Sequence, residues 1–244
     1  MKKILQYLFE HKTLPRAQAK EVLMNIGKGV YNEHEVTAFM TVYLMRSVTI
    51  EELQGFQDAL LELCVRVDLD GFPVLDIVGT GGDGKNTFNI STLSCFIVAG
   101  TGQKVAKHGN YGASSISGAS NVMEQLGYKM KNDAGRLKKE VDEANICFLH
   151  APLFHPALKT VAPIRKNLGM RTFFNMLGPM VNPAFPAYQL VGVYSLEMAR
   201  IYNYLLQLSD KAFTIIHGLD GYDEISLTND TKVITNEGEK VMTP

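Results

Sequence analysis

The chain has 244 residues, of which 46% are hydrophobic and 20% charged, and its formal charge is -1. This near-neutral balance argues against a general affinity for nucleic acid or acidic membrane surfaces. The three cysteines are scattered, which predicts a cytoplasmic protein without disulfides. Polar residues at Glu10 to Lys12 interrupt the N-terminal apolar run, so no signal peptide is predicted. No apolar stretch reaches about 20 residues, so no membrane span is predicted.

The first 70 residues predict helices only. Apolar residues recur at helical spacing in four segments, at 4–9, 15–27, 33–46 and 50–63. Thr49 and Glu52 have the spacing of a capping box, which predicts the start of the fourth helix. We therefore expect a small all-helical domain at the N-terminus.

The pattern changes after the polar, turn-forming stretch at 68–73. Short apolar runs typical of strands lie at 74–78, 105–107, 146–149, 190–194 and 213–216. Helical patterns lie between them, at about 91–100, 119–126, 134–144 and 195–208. This alternation predicts an α/β domain with a mostly parallel sheet, whose ligand would bind beyond the carboxyl ends of the strands. The last 20 residues predict short strands joined by N-D and E-G turns.

A glycine-rich stretch, G-T-G-G-D-G-K-N-T-F-N-I-S-T, begins at Gly79 between a predicted strand and a predicted helix. It fits the dinucleotide pattern G-x-G-x-x-G and nearly fits the P-loop pattern G-x-x-x-x-G-K-[ST]. A dinucleotide site requires an acidic residue about twenty positions later, and none occurs from Gly84 to Met123. A P-loop requires Ser or Thr where this chain has Asn86. Neither motif is therefore assigned.

The 40 residues from Gly84 to Met123 are rich in groups that bind anions. They hold Lys85, Lys104, Lys107 and His108 together with many Ser, Thr and Asn side chains. Cations and hydrogen-bond donors in a stretch without carboxylates are typical of a site for a polyphosphate ester. Helix capping accounts for some of the hydroxyl groups but not for the missing acids.

Five motifs then occur in one order along the chain: G-T-G-G-D from 79, N-I-S-T at 89–92, K-H-G-N at 107–110, R-T-F-F-N-M-L-G-P-M-V-N-P at 171–183 and H-G-L-D-G-Y-D-E-I-S at 217–226. Their order and approximate spacing resemble anthranilate phosphoribosyltransferase, a family of tryptophan biosynthesis, over essentially the whole chain. The resemblance implies transfer of the phosphoribosyl group of phosphoribosyl pyrophosphate (PRPP) to the amine of anthranilate, with release of pyrophosphate. It also implies Mg²⁺ as cofactor, with up to two ions.

The resemblance further implies how the chain is organised. Residues 1–70, joined by about 165–188, would form the small helical domain. Residues 74–164 and 189–244 would form the large α/β domain, of the nucleoside phosphorylase and phosphoribosyltransferase type. Chains of the family continue beyond position 244, so we expect the large domain to lack its C-terminal part. A homodimer through the helical domain and association with anthranilate synthase are also implied.

Site residues follow from the matching motifs. PRPP contacts are implied for Gly79, Gly82, Asp83, Thr87, Asn89, Ile90, Ser91, Thr92, Lys107, His108, Gly109, Asn110, Tyr111, Gly112, Ala113, Ser114, Ser115 and Ala119. Anthranilate contacts are implied for Gly79, His108, Asn110, Arg165 and Gly178, and metal ligands for Ser91, Asp223 and Glu224. No general base is implied, and Lys107 with the metal ligands would stabilise the transition state. Asp83 would act through the loop backbone or through a metal-linked contact.

The chain departs from the family pattern at three positions. Tyr111 replaces an arginine, Ala119 a serine and Asn121 an aspartate, which leaves the local charge balanced. Two alternative functions are less well supported. A pyrimidine nucleoside phosphorylase is disfavoured by Arg165 and the G-P-M-V-N-P segment, and a non-catalytic nucleic-acid-binding relative by the net charge and by Asp223 and Glu224.

Overall fold

The computed structural model describes residues 1–112 and 116–244 of the chain, so Ala113, Ser114 and Ser115, for which PRPP contacts are predicted, lie outside the described residues. The chain divides into two compact units. The helical unit comprises Met1–Val65 and Phe154–Val181, and the α/β unit comprises Arg66–Leu153 and Asn182–Pro244. Across the described ranges, no helix combines the length and apolarity needed to cross a membrane.

The helical unit contains the four predicted N-terminal helices. Its helices are α1 (Lys2–Phe9), α2 (Arg16–Gly27), α3 (Glu33–Met45) and α4 (Ile50–Leu63), followed much later in the chain by α9 (Leu158–Leu168) and α10 (Phe174–Leu177). The short helix α8 (Ala151–Phe154) leads into the later segment, and a 3-10 turn, Gly178–Met180, follows α10. The predicted capping box of Thr49 and Glu52 is confirmed, since each side chain accepts a hydrogen bond from the backbone N–H of the other.

Aromatic rings form the core of this unit. Phe39 of α3, Phe56 of α4 and Phe173 are buried and lie 4.5–6.3 Å apart between ring centroids. Phe173 belongs to the R-T-F-F-N segment, so the later segment of the chain packs into the core formed by the N-terminal helices. The sequence between 154 and 181 thus supplies hydrophobic contacts that the first 65 residues cannot complete alone.

The α/β unit is built on one seven-stranded sheet. Its strands are β1 (Leu75–Gly79), β2 (Val105–Gly109), β3 (Ile146–His150), β4 (Tyr188–Gly192), β5 (Ala212–Gly218), β6 (Thr231–Thr235) and β7 (Gly238–Met242), in the spatial order β3-β2-β1-β4-β5-β6-β7. Strands β1 to β5 are parallel, and β6 and β7 are antiparallel. The described helices of the unit are α5 (Ile90–Gly100), α6 (Ala119–Gln125), α7 (Ala134–Ala144) and α11 (Leu196–Gln207). This architecture agrees with the predicted fold class.

The strand order places a topological switch point between β1 and β4. From β1 the chain continues to β2 and β3 on one side, and it then returns to place β4 on the other side. Gly79 and Gly192 are paired at the carboxyl ends of these two strands. Because the loops that leave a switch point diverge, a crevice opens there, and ligands of α/β sheets bind in such crevices. The glycine-rich stretch therefore begins at the position where a ligand site is expected.

Candidate functional site

The glycine-rich loop leaves β1 at Gly79 and is held against β4. The N–H of Thr80 donates a 2.9 Å hydrogen bond to the carbonyl of Gly192. Gly81 and Gly82 have φ values of 63° and 86°, a left-handed conformation that other residues rarely adopt. The loop can therefore turn sharply beside the sheet and keep its backbone accessible.

Residues 219–230, which connect β5 to β6, form an acidic loop that packs onto the glycine-rich loop. Oδ2 of Asp223 accepts a 3.0 Å hydrogen bond from the N–H of Gly81. A Cβ atom on Gly192 would lie 1.7 Å from the carbonyl oxygen of Asp223, and one on Gly79 would lie 2.6 Å from Oδ2. Both glycines are therefore required for this close approach, and the sequence patterns did not identify Gly192.

Hydrogen bonds within the acidic loop hold its shape. Oδ2 of Asp220 accepts from the hydroxyls of Ser226 and Thr228, each at 2.7 Å. The N–H of Gly218 donates to the carbonyl of Tyr222 at 2.9 Å. The Lys85 ammonium lies 4.5 Å from the centre of the Tyr222 ring, which brings a positive charge from the glycine-rich loop to the acidic loop.

Three carboxylates meet where the two loops join. Asp83, Asp223 and Glu224 each offer an oxygen atom within 4.8 Å of the other two. Burial and the neighbouring charge of Asp83 raise the pKa of Asp223. Burial and the charge of Asp223 raise the pKa of Glu224 well above its ordinary value. Carboxylate oxygens are the ligands Mg²⁺ prefers, and a cation would relieve this repulsion, so the residues fit a magnesium site.

Asp83 lies beside the predicted metal ligands Asp223 and Glu224. Its Oδ2 atom is buried and has no hydrogen-bond partner among residues 1–112 and 116–244, while its Oδ1 atom accepts from the N–H of Lys85 at 3.2 Å. This favours the metal-linked role that the sequence left open beside a purely structural one. In the sequence, Asp83 is notable because it is an acidic residue in a loop that is otherwise rich in anion-binding groups.

The N-terminus of α5 presents the second set of predicted PRPP contacts. Oδ1 of Asn89 accepts from the N–H of Thr92 at 3.3 Å and also from the Thr92 hydroxyl, so Asn89 is the N-cap. Ile90 and Ser91 are the first two residues of the helix. The positive end of the helix dipole is suited to an anion. Thr87 lies in the exposed part of the loop just before this helix.

Lys107 connects the central strands to α5. This residue of β2 is buried, and its ammonium donates to the carbonyl of Ile77 at 2.8 Å and to the hydroxyl of Ser91 at 3.3 Å. The neighbouring residue His108 is also buried, and its N–H donates to Oδ1 of Asp76 at 3.3 Å. Lys107 thus brings a positive charge to the first turn of α5, and the metal role of Ser91 stays a prediction.

The chain leaves β2 at Gly109 and continues through Asn110, Tyr111 and Gly112. The hydroxyl of Tyr111 donates to Glu124 at 2.7 Å, and its ring packs edge-on against His150. Burial lowers the pKa of His150, whose Nδ1 atom hydrogen-bonds to Ser120. Tyr111 stands where the family pattern has an arginine, and its side chain is therefore bonded to α6. Ala119 is the first residue of that helix, and its Cβ would lie 2.9 Å from a Cβ on Gly109.

Arg165 and Gly178, the remaining predicted anthranilate contacts, belong to the helical unit. Arg165 lies in the last turn of α9, where its guanidinium is 5.5 Å from the centre of the Phe174 ring and donates to Oδ1 of Asn175 at 3.3 Å. Gly178 begins the 3-10 turn after α10. The other predicted site residues that the structure describes belong to the α/β unit.

Comparison with known proteins identifies both parts of the chain. Residues 2–64 match the model of the glycosyl transferase family, helical bundle domain, and residues 71–243 match the glycosyl transferase family, a/b domain. The anthranilate phosphoribosyltransferase of Christiangramia forsetii is 63% identical over 242 residues, covering 99% of this chain and 73% of that protein.

Solved structures agree with this similarity. The anthranilate phosphoribosyltransferase of Thermus thermophilus superposes with a TM-score of 0.90 at 33% identity, covering 98% of this chain and 73% of that chain. The enzyme of Saccharomyces cerevisiae in complex with PRPP and Mg superposes with a TM-score of 0.86 at 33% identity, covering 95% of this chain and 69% of that chain. The chain belongs to the anthranilate phosphoribosyltransferase family.

Proposed function

We propose that this chain transfers the phosphoribosyl group of PRPP to anthranilate. The amine nitrogen of anthranilate forms a bond to ribose C1 while the bond from C1 to the pyrophosphate oxygen breaks, and the nitrogen then loses a proton. The observation that carries the proposal is the meeting of Asp83, Asp223 and Glu224 at the glycine-rich loop, which continues into the N-terminus of α5. Family membership supports the choice of both substrates.

Binding of the pyrophosphate would use the donors of the α/β unit. The loop backbone from Gly79 to Asp83 and the first turn of α5 supply N–H groups and the positive helix dipole. Lys107 supplies a full positive charge next to Ser91. Charge builds up on the departing pyrophosphate as the C1 bond breaks, and these fixed donors lower the barrier because they need no rearrangement at that moment.

Mg²⁺ would be held by the carboxylates of Asp83, Asp223 and Glu224 and by the hydroxyl of Ser91, with substrate phosphates and water completing the shell of one or two ions. When bound, it neutralises negative charge on the pyrophosphate. Asp220, Ser226 and Thr228 act indirectly, because their hydrogen bonds hold the loop that carries Asp223 and Glu224.

The acceptor would be bound through its carboxylate by Arg165. A planar guanidinium pairs with a carboxylate through two parallel hydrogen bonds. The Phe174 ring, 5.5 Å from the guanidinium, and the hydrogen bond to Asn175 hold the Arg165 side chain in place. Gly79, His108, Asn110 and Gly178 would complete the acceptor site. The aromatic amine is neutral near pH 7, so no general base is required before it attacks. A homodimer through the helical unit, a cytoplasmic location and association with anthranilate synthase complete the proposal.

The proposal is tested by mixing the protein with PRPP, Mg²⁺ and anthranilate and following the loss of anthranilate fluorescence. We expect turnover that requires all three components and releases one pyrophosphate for each anthranilate consumed. Calorimetry with PRPP and Mg²⁺ provides an independent measurement of donor binding. Absence of both turnover and PRPP binding would contradict the proposed function.

A further inference from the structure

The segment between β2 and α6 is closed at its base by three hydrogen bonds. The N–H of Ser120 donates to the carbonyl of Asn110 at 3.1 Å. The side-chain oxygen of Asn121 accepts from the N–H of Gly118 at 2.9 Å and from the N–H of Gly112 at 3.2 Å. One amide oxygen therefore joins Gly112, two residues after the K-H-G-N motif, to Gly118, the N-cap of α6.

The two backbones at this base are in direct contact. A Cβ atom on Gly118 would lie 2.3 Å from the nitrogen of Gly112 and 2.5 Å from the carbonyl oxygen of Asn110. A side chain at position 118 would therefore push the two backbones apart. We call these residues, 110–112 and 118–121, the loop base.

The chemistry of Asn121 suits this position. An amide oxygen has two lone pairs and can accept both hydrogen bonds. An apolar residue at 121 would leave the N–H groups of Gly112 and Gly118 without this acceptor.

We propose that Asn121 is a positioning residue for the phosphoribosyl donor. It holds the backbone of Tyr111 and Gly112, just after β2, in the conformation that contacts PRPP. Asn121 itself touches neither substrate in this scheme and acts through Gly112. The inference rests on the proposed function for the identity of the donor, whereas the hydrogen-bonded base is observed directly.

The kinetic test compares Asn121→Ala with Asn121→Asp. The alanine variant removes the shared acceptor, and we expect the KM for PRPP to rise by about 10-fold or more while the KM for anthranilate changes by less than about 2-fold. The aspartate variant restores an acceptor for both N–H groups, and we expect its KM for PRPP to stay within about 3-fold of the original value. A merely structural role would not produce this selective rise or its rescue.

Asp133→Ala is the matched control for loss of a helix-capping acceptor. Oδ1 of Asp133 accepts from the N–H of Arg136 at the start of α7, in the same unit, and Asp133 has no predicted contact with a substrate. We expect Asp133→Ala to lower the melting temperature by an amount similar to that for Asn121→Ala while leaving both KM values unchanged. Equal KM values in Asn121→Ala and the original protein, or equal impairment in Asn121→Asp and Asn121→Ala, would overturn the proposal.

Hydrogen exchange tests the base without reference to catalysis. We expect the amide hydrogens of Gly112 and Gly118 to exchange about 10-fold faster or more in Asn121→Ala, and not in Asp133→Ala. Faster exchange with weaker calorimetric PRPP binding supports the inference even if anthranilate is not the acceptor. Normal turnover with unchanged exchange and unchanged PRPP binding in Asn121→Ala contradicts the inference and leaves the proposed function intact.

Discussion

The N–H of Gly81 donates a 3.0 Å hydrogen bond to Oδ2 of Asp223, across 142 positions of sequence. This bond joins the glycine-rich loop after β1 to the acidic loop after β5. The same carboxylate lies next to Asp83 and Glu224, so one residue shapes the backbone of the first loop and contributes to the candidate metal site. Changes in either loop are therefore expected to affect both phosphate and metal binding.

Replacing Asp223 and Glu224 together with alanine should abolish magnesium-dependent activity, because both residues offer oxygen ligands to the candidate site. We expect the affinity for Mg²⁺, measured by calorimetry in the presence of PRPP, to fall by about 100-fold or more. Anthranilate binding should be largely retained. The matched control is Asp142→Ala with Glu143→Ala, since that exposed pair on α7 has the same sequence and charge. Normal turnover in the first variant would show that the metal assignment is wrong.

Gly192→Ala should disturb the acidic loop without removing any of its acids. The added Cβ would lie 1.7 Å from the carbonyl oxygen of Asp223, and a backbone atom cannot move aside as a flexible side chain can. We expect a loss of about 1–3 kcal/mol in the free energy of unfolding, measured with urea, together with weaker Mg²⁺ binding. Gly100→Ala serves as the control, because a Cβ there meets open space. Equal stability of the two variants would contradict the close approach of Gly192 to the acidic loop.

Arg165→Lys should raise the KM for anthranilate by about 10-fold or more, since an ammonium cannot pair with a carboxylate through two parallel bonds or stack on a ring as a guanidinium does. The KM for PRPP should change little. Lys166→Ala removes an exposed neighbouring charge on the same helix, and steady-state kinetics should show no effect. A rise limited to the KM for PRPP would assign Arg165 to the donor instead.

Glu52→Gln should destabilise the helical unit by about 3 kcal/mol. The carboxylate of Glu52 is fully buried and accepts from Arg46, from the N–H of Leu14 and from the hydroxyl of Tyr43. Burial opposes its ionisation, yet the hydrogen bonds from Arg46, the N–H of Leu14 and Thr49 outweigh burial and hold the pKa of Glu52 below its ordinary value. The contribution is therefore present at neutral pH and lost in acid. Glu51→Gln, at an exposed position of the same helix, is the control, and equal denaturation midpoints would refute the prediction.

His155 should make the protein less stable in mild acid. Burial lowers its pKa from 6.5 to about 4, although its Nε2 atom donates to the carbonyl of Val181 at 2.8 Å. Between these pH values the unfolded chain binds a proton that the folded chain does not, so stability falls as the pH decreases from 6.5 towards 4. The slope from this group is at most about 1.4 kcal/mol per pH unit. His155→Gln should remove that part of the slope, whereas His34→Gln, which changes an exposed residue, should leave it unchanged.

Local patterns were sufficient for much of the fold. Strands β1, β2, β3, β4 and β5 lie within two residues of the predicted runs, because short apolar stretches bounded by turn residues report burial directly. The helices α8, α9 and α10 were not predicted. Four-residue segments such as α8 and α10 show no periodicity, and α9 contains Pro163, a residue that indicates a break in a helix. The strand order was also beyond sequence patterns, because it depends on which hydrophobic faces meet.

The alternation of helices and strands, the acid-free donor stretch and the five motifs that indicate the family can all be read from the sequence. These are local properties, set by side-chain chemistry along a few neighbouring positions. Three relationships required the folded structure: Asp83 lies beside Asp223 and Glu224, Gly192 makes room for the acidic loop, and Asn121 closes the loop base. Such contacts depend on the order of strands in the sheet and on the close approach of backbones, which no local pattern encodes.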